Sequence, residues 1–206
     1  MQQVNYFDQI PVKVPKEMVL IRLGRKKNTV KIDESQQKQL DDYIKEGELL
    51  CRIKGAYAGF KVAEKSGRQI KLVNGIIFES ETMAEWMFDA EEIILMAATA
   101  GNEVTERRDK EISSGNATLG VVIDAVASET ADEGLNRIED IINKMIIKQG
   151  KTLTKRYSPG YGDLALAAQK DIYNALQLDI IGITITDKFL LVPEKSVMAI
   201  AGVIPL

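Results

Sequence analysis

In this 206-residue chain the residues best equipped for chemistry stand together at Arg156-Tyr157-Ser158-Pro159-Gly160-Tyr161. A guanidinium offers a planar fork that holds a carboxylate or phosphate through two parallel hydrogen bonds. The Pro-Gly bend behind it exposes backbone N–H donors, and Gly160 removes the Cβ that would keep a ligand off the main chain. Tyr157 and Tyr161 add aromatic faces that suit a flat heterocycle or an organic cation. A helix expected to start at Asp163 would contribute positive potential at its N-terminus. The set fits a ligand with a carboxylate, an aromatic ring and a positive centre. It also fits a plain loop ahead of a helix, with its arginine and tyrosines used in packing.

Absences narrow the chemistry further. The chain has no histidine and a single cysteine, Cys51. That excludes Ser-His-Asp and Cys-His nucleophiles, an imidazole base, and His- or thiolate-held metal centres built by this chain alone. A carboxylate-only Mg²⁺ or Ca²⁺ site stays open, but no run shows the D-x-D spacing of an acidic cation loop. We therefore expect no catalytic residue and no metal of its own; the reactive centre of any difficult reaction belongs to something the protein binds.

With 45% hydrophobic residues and a net charge of only −3, the composition supports a packed core and offers no global field for nucleic acid or anionic membrane. Two cationic runs, Arg22–Lys31 and Lys148–Arg156, read as solvated surface or as local basic patches. The longest apolar run, from Ile93, is far too short to span a bilayer, and the first residues do not form a signal peptide. These features predict a cytoplasmic protein.

The elements that must position the turn follow from periodicity. Strands are expected at Gln9–Val14 and Glu17–Gly24, a helix after Asp33 or Ser35 with Leu40, Tyr43 and Ile44 on its apolar face, then strands from Cys51 to Ser80 with hairpin turns at Ser66-Gly67 and Asn74-Gly75. A short helix carries Met83, Trp86 and Met87, and Glu91–Gly101 reads as a buried strand that ends in a small-residue turn at Gly101. A polar helix at Asn102–Ser113 and a long one from about Ala117 to Lys148 follow, stopped by Gly150. Ala125, Ala127, Ala131 and Gly134 make a small-residue stripe on the long helix, for close packing on a sheet or for a ligand. A helix starting after Asp163, strands around Thr186-Asp187-Lys188, and a last strand from Ser196 complete the chain. The fold class is α+β (mixed α/β): a central, mainly antiparallel sheet flanked by long helices, with a strand-rich N-terminal portion. Residues 1–81 form a strand–helix–strand portion and 82–206 the region holding the turn, as two units or one continuous domain.

Two ordered motifs carry a resemblance. Arg156, Gly160 and Tyr161 match an Arg-x-x-x-Gly-Tyr turn. Thr186, Asp187, Leu191, Pro193, Ser196 and Val197 approximate an L-T-[ED]-S-x-x-[ML]-x-P-x-x-S-V segment. Together they resemble the activation (reactivation) domain of vitamin B12-dependent methionine synthase, with the similarity running from Glu91 to Val203. The resemblance implies binding of S-adenosylmethionine (AdoMet) and support for reductive methylation of cob(II)alamin in methionine biosynthesis. By it, Arg156 clamps the methionyl carboxylate, Tyr157, Ser158, Pro159 and Gly160 contribute contacts from the turn, and Tyr161 shapes the wall. An acid on the long helix near the ligand's amino group falls at Asp132, with Glu129 and Glu133 as alternatives.

The resemblance also implies a cobalamin carried by a partner, methionine synthase or another corrinoid protein, since the chain has no D-x-H-x-x-G signature. A separate reductase would supply electrons. Long family members continue beyond the counterpart of Val203 into a further tyrosine-containing segment. The shorter chain suggests a stand-alone activator, not catalytic alone; the alternative is a docking module for a corrinoid protein whose ligand pocket has decayed.

Overall fold

The computed structural model describes residues 3–25 and 33–206; Lys26, Lys27 and Lys31 of the first cationic run lie outside them. The chain runs β1 (Asn5–Phe7), α1 (Lys16–Arg22), α2 (Glu34–Leu50), β2 (Lys54–Ser66), β3 (Gln69–Leu72), β4 (Ile77–Glu79), α3 (Glu81–Trp86) and β5 (Glu92–Thr99). It continues through α4 (Asn102–Ser113), α5 (Ala117–Ile146), β6 (Lys151–Leu153), α6 (Ala168–Leu176), β7 (Thr184–Ile185), β8 (Leu191–Val192) and β9 (Ser196–Pro205). The architecture is α+β, as the sequence predicts.

The main sheet is antiparallel at every strand pair, in the order β4-β3-β2-β5-β9-β6, with β1 on the first half of β2. It runs unbroken across Glu81, because β2 pairs with β5 from Lys54 to Lys61. The alternation of side chains along a strand divides the core. Ile93, Leu95 and Ala97 of β5 join the cluster that holds α3 and α6. Ile94, Met96 and Ala98 face the opposite cluster, under α5. Both faces of β5 are covered, which is why its sequence reads as a continuous apolar run.

Helix α5 packs on that second face at close range. A Cβ at Gly134 would stand 2.8 Å from Ile53 Cγ2 and 3.1 Å from Ala98 Cβ, so the small-residue stripe serves packing there. Asp33 caps α2 through a reciprocal pair with Gln36, and Gly150 (φ +69°) ends the long helical stretch.

Three expectations are corrected. Gln9–Val14 forms no strand; its Ile10 N–H donates to the Ile53 carbonyl at 2.8 Å. Glu17–Gly24 is not a strand, since Lys16–Arg22 is helical, with Pro15 at its start, Glu17 in its first turn and Arg22 in its last. Those end signals, together with burial of Val19 against Ile44 and Val126, outweigh the apolar run that suggested a strand. Finally, α6 begins at Ala168, and Asp163 does not cap it. Gly160 (φ +87°) and Gly162 (φ +52°) are both left-handed, so the chain spends the intervening residues on turns. No helix among the described residues is long and apolar enough to cross a membrane.

Candidate functional site

The Arg156 turn meets the last strand by a backbone bridge. Tyr157 N–H donates to the Ile200 carbonyl and Ile200 N–H to the Tyr157 carbonyl, both at 2.8 Å. This exchange brings the two sequence motifs together, and Ser196 and Val197 of the second face the same space as Arg156. The space is a cavity of about 560 Å³. Its walls are α5, the turn, the start of β9, and single residues from α1, α3 and α6. From α5 come Ser128, Ala131, Asp132 and Leu135, spaced i, i+3, i+4 and i+7, which is one face of a helix. The stripe therefore divides: Gly134 packs on the sheet, and Ala131 borders the cavity.

Arg156 is braced but not used up. Its Nη2 donates to Asn136 Oδ1 at 2.8 Å, and its Nε lies 3.3 Å from Glu139 Oε2. Its Nη1 is buried and has no partner. The side chain is 26% exposed, so it remains reachable from the cavity it lines. Gln169 of α6 lines the same cavity, and its Oε1 is likewise buried without a partner. Buried polar groups are nearly always satisfied, so two orphans on residues of one cavity stand out.

Three acids of α5 compete for the role assigned to Asp132, and their surroundings separate them. Glu129 pairs with Arg22 at 2.5 Å. Glu133 accepts from Asn136 Nδ2 at 2.8 Å. Asp132 lines the cavity and has no hydrogen bond or ion pair among the described residues. Burial pushes its carboxyl above the usual range, Glu129 adds to the push, and the Arg156 and Arg22 guanidinium groups oppose it. Such a group gains from a cationic neighbour.

Within the turn, Tyr157, Ser158, Pro159 and Tyr161 line the cavity, and Gly160 does not. Gly160 N–H donates to the Leu164 carbonyl at 2.9 Å and Tyr161 N–H to the Ser158 carbonyl at 3.2 Å. These two donors are spent inside the bend, against the expectation that it would expose them, and Gly160 contributes the positive φ that shapes it. Tyr157 is only 7% exposed. Its hydroxyl donates to Asp163 Oδ1 at 3.0 Å, and its ring meets Trp86 in a T-shaped contact at 5.4 Å.

Asp163 also accepts from Ser80 Oγ at 2.5 Å and from the Glu81 and Thr82 N–H groups at 2.6 and 3.4 Å. It thus ties the start of α3 to the turn, and these bonds, led by that of Ser80, hold its carboxyl well below the usual range. At the far rim Lys195 lies 2.8 Å from Asp124 and 3.3 Å from Glu194, both of which also bind Arg108. Cys51 lies in a smaller cavity, away from this site, and burial pushes its thiol up to about 11, which removes it as a nucleophile at neutral pH.

Sequence reasoning missed Trp86, Gln169, Arg22 and Lys195 as lining residues. No spacing joins them to the turn; they reach it from four separate segments. The lone tryptophan in a short, acidic helix was the one available hint.

Neither a scan of family models nor a search of curated proteins finds a match to the chain. Among solved structures the chain is similar to the MetH reactivation domain bound to AdoHcy, with a TM-score of 0.70 and 14% identity. The match covers 99% of this chain and 79% of the other. At that identity the likeness establishes the fold.

Proposed function

We propose that this protein binds AdoMet in the cavity at Arg156 and presents it to a cobalamin held by a partner, supporting reductive reactivation of a cobalamin-dependent methionine synthase. The observation that carries the reading is the pair of buried, unpartnered polar atoms, Arg156 Nη1 and Gln169 Oε1, in the cavity lined by Asp132, whose carboxylate is unpaired among the described residues. A ligand with an α-carboxylate and an α-ammonium supplies what that set lacks. The carboxylate takes Nη1, the ammonium takes Asp132, and a ligand N–H or O–H takes Gln169 Oε1. The bound AdoHcy of the structural relative, the product of demethylating AdoMet, agrees in ligand class.

AdoMet supplies an activated methyl group on a sulfonium; the chain's own residues hold and orient. Asn136 and Glu139 fix the guanidinium plane so that little side-chain entropy is lost on binding. The Tyr157–Ile200 bridge fixes the turn against β9. With no histidine to ligate cobalt from below, the corrin belongs to the partner, and the electron for cob(II)alamin comes from a separate reductase.

Isothermal titration with AdoMet tests the reading. The wild type binds saturably, and Arg156→Ala weakens binding roughly ten- to hundredfold, the usual cost of losing a charge-assisted pair. No AdoMet binding by the folded wild type overturns the proposal, and binding untouched by the substitution removes Arg156 from its role. Mixing the protein with a cobalamin protein, a reductant and AdoMet should convert the cob(II)alamin spectrum to that of methylcobalamin.

A further inference from the structure

The cavity wall that the turn chemistry leaves unexplained is Trp86. Tyr157 and Tyr161 are the expected platforms for a flat ring, and both line the cavity, but the Tyr157 ring is engaged elsewhere. The Tyr157 ring is buried against Trp86 and its hydroxyl is engaged by Asp163. Tyr161 lines the cavity but is 72% exposed, less enclosed than Trp86. Trp86 is 42% exposed and lines the cavity. Two contacts hold it: the T-shaped packing on Tyr157, at an interplanar angle of 85°, and the capped start of α3, fastened to the turn by Asp163. The indole is thus a rigid, half-open aromatic surface beside the residue that follows Arg156.

We infer that Trp86 is the stacking platform for the purine of an adenine nucleoside, an assignment that rests on the AdoMet reading of this cavity and names the residue that recognises its flat end. Lys155 decides between the purine and the sulfonium. Its Nζ stands 5.9 Å from the indole centroid, so the ring already carries one cation. A second positive centre there would meet repulsion, whereas a neutral heterocycle would not. Base–aromatic stacking tolerates any base, so Trp86 supplies affinity, and the polar atoms of the cavity supply orientation.

Because Trp86 is the sole tryptophan, its emission reports on this position alone. The full chain is titrated with AdoMet, with 5′-methylthioadenosine, which keeps the purine and lacks the sulfonium, and with S-methylmethionine, which has the reverse. Emission should change saturably with the first two and stay constant with the third. In calorimetry Trp86→Leu should weaken AdoMet roughly tenfold or more, while Trp86→Phe, which keeps an aromatic face, should stay within about threefold of the wild type. Unchanged thermal midpoints will show that both variants fold.

Emission indifferent to saturating AdoMet and methylthioadenosine, a response to S-methylmethionine alone, or wild-type affinity in Trp86→Leu would each overturn the platform. AdoMet heats in the wild type would then still uphold the proposed function. Conversely, absent AdoMet heats with a saturable methylthioadenosine response would defeat that function and support the purine platform.

Discussion

At the scale of single residues, what distinguishes the site is unmet demand. Arg156, Gln169 and Asp132 all line one cavity; Arg156 Nη1 and Gln169 Oε1 are buried there without a hydrogen-bond partner, and Asp132 has none among the described residues. Asp132 gives this a pH signature. Burial raises its pKa in the free protein, and a bound ammonium would lower it again, so binding releases a proton wherever the free carboxyl is protonated. AdoMet affinity should therefore fall on acidification, starting at a higher pH than an ordinary aspartate would give. Asp132→Asn should bind more weakly at neutral pH and lose most of that dependence. Glu139 is also pushed up by burial, while Arg156 holds it down, so a residual slope in Asp132→Asn is its expected contribution. Calorimetry across a pH series in buffers of different ionisation enthalpy measures both effects.

At the scale of elements, the site depends on how the turn is pinned. Asp163 looked like the cap of the following helix; it caps the preceding one, α3, and grips Tyr157 as well. Its lowered pKa means that it stabilises the fold fully above the unfolded value of about 4, and that this contribution is lost as pH falls through the lower folded value. Asp163→Asn should lower the thermal midpoint at neutral pH, and the gap to the wild type should narrow on acidification. It should also loosen Trp86 relative to Arg156 and weaken AdoMet. A variant with an unchanged melting curve at every pH would contradict the assigned tie. None of this was legible locally, because Ser80 and Asp163 lie far apart in sequence and only the folded sheet brings them together.

At the scale of the molecule, a charge network ties α4 and α5 to the segment that leads into β9. Arg108 of α4, whose side chain is 12% exposed, binds Asp109, Asp124 of α5 and Glu194, and Lys195 shares the last two. Burial works against the Arg108 charge, and its hydrogen bonds to Asp109, Glu194 and Asp124 more than offset that penalty, leaving the pKa above its ordinary value. Arg108→Ala should destabilise by roughly 1–3 kcal/mol, less at high salt because Glu194 and Asp109 are exposed. Since Lys195 lines the cavity, a modest loss of AdoMet affinity should accompany it. Chemical denaturation at two ionic strengths measures the first effect and calorimetry the second.

The sequence alone determined the elements whose signals are local and strong. These are the long helix from Ala117 with its stop at Gly150, the buried strand that the structure bounds at Glu92–Thr99 and the two hairpin turns after β2. The cap of α2 is narrowed to Asp33 or Ser35, and the structure selects Asp33. Periodicity and turn chemistry act within a few residues, so they can be read without a fold. The sequence also placed Arg156, Tyr157, Ser158, Pro159, Gly160, Tyr161 and Asp132 among the candidates, and the structure brings all but Gly160 to the lining of one cavity. Only the tertiary structure decided that Tyr157 is spent on Asp163 and Trp86, that Lys16–Arg22 is helical, and that Gln169 and Trp86 share the cavity with Arg156. Those outcomes depend on burial and on hydrogen bonds between segments distant in the chain, and no spacing along the sequence encodes them.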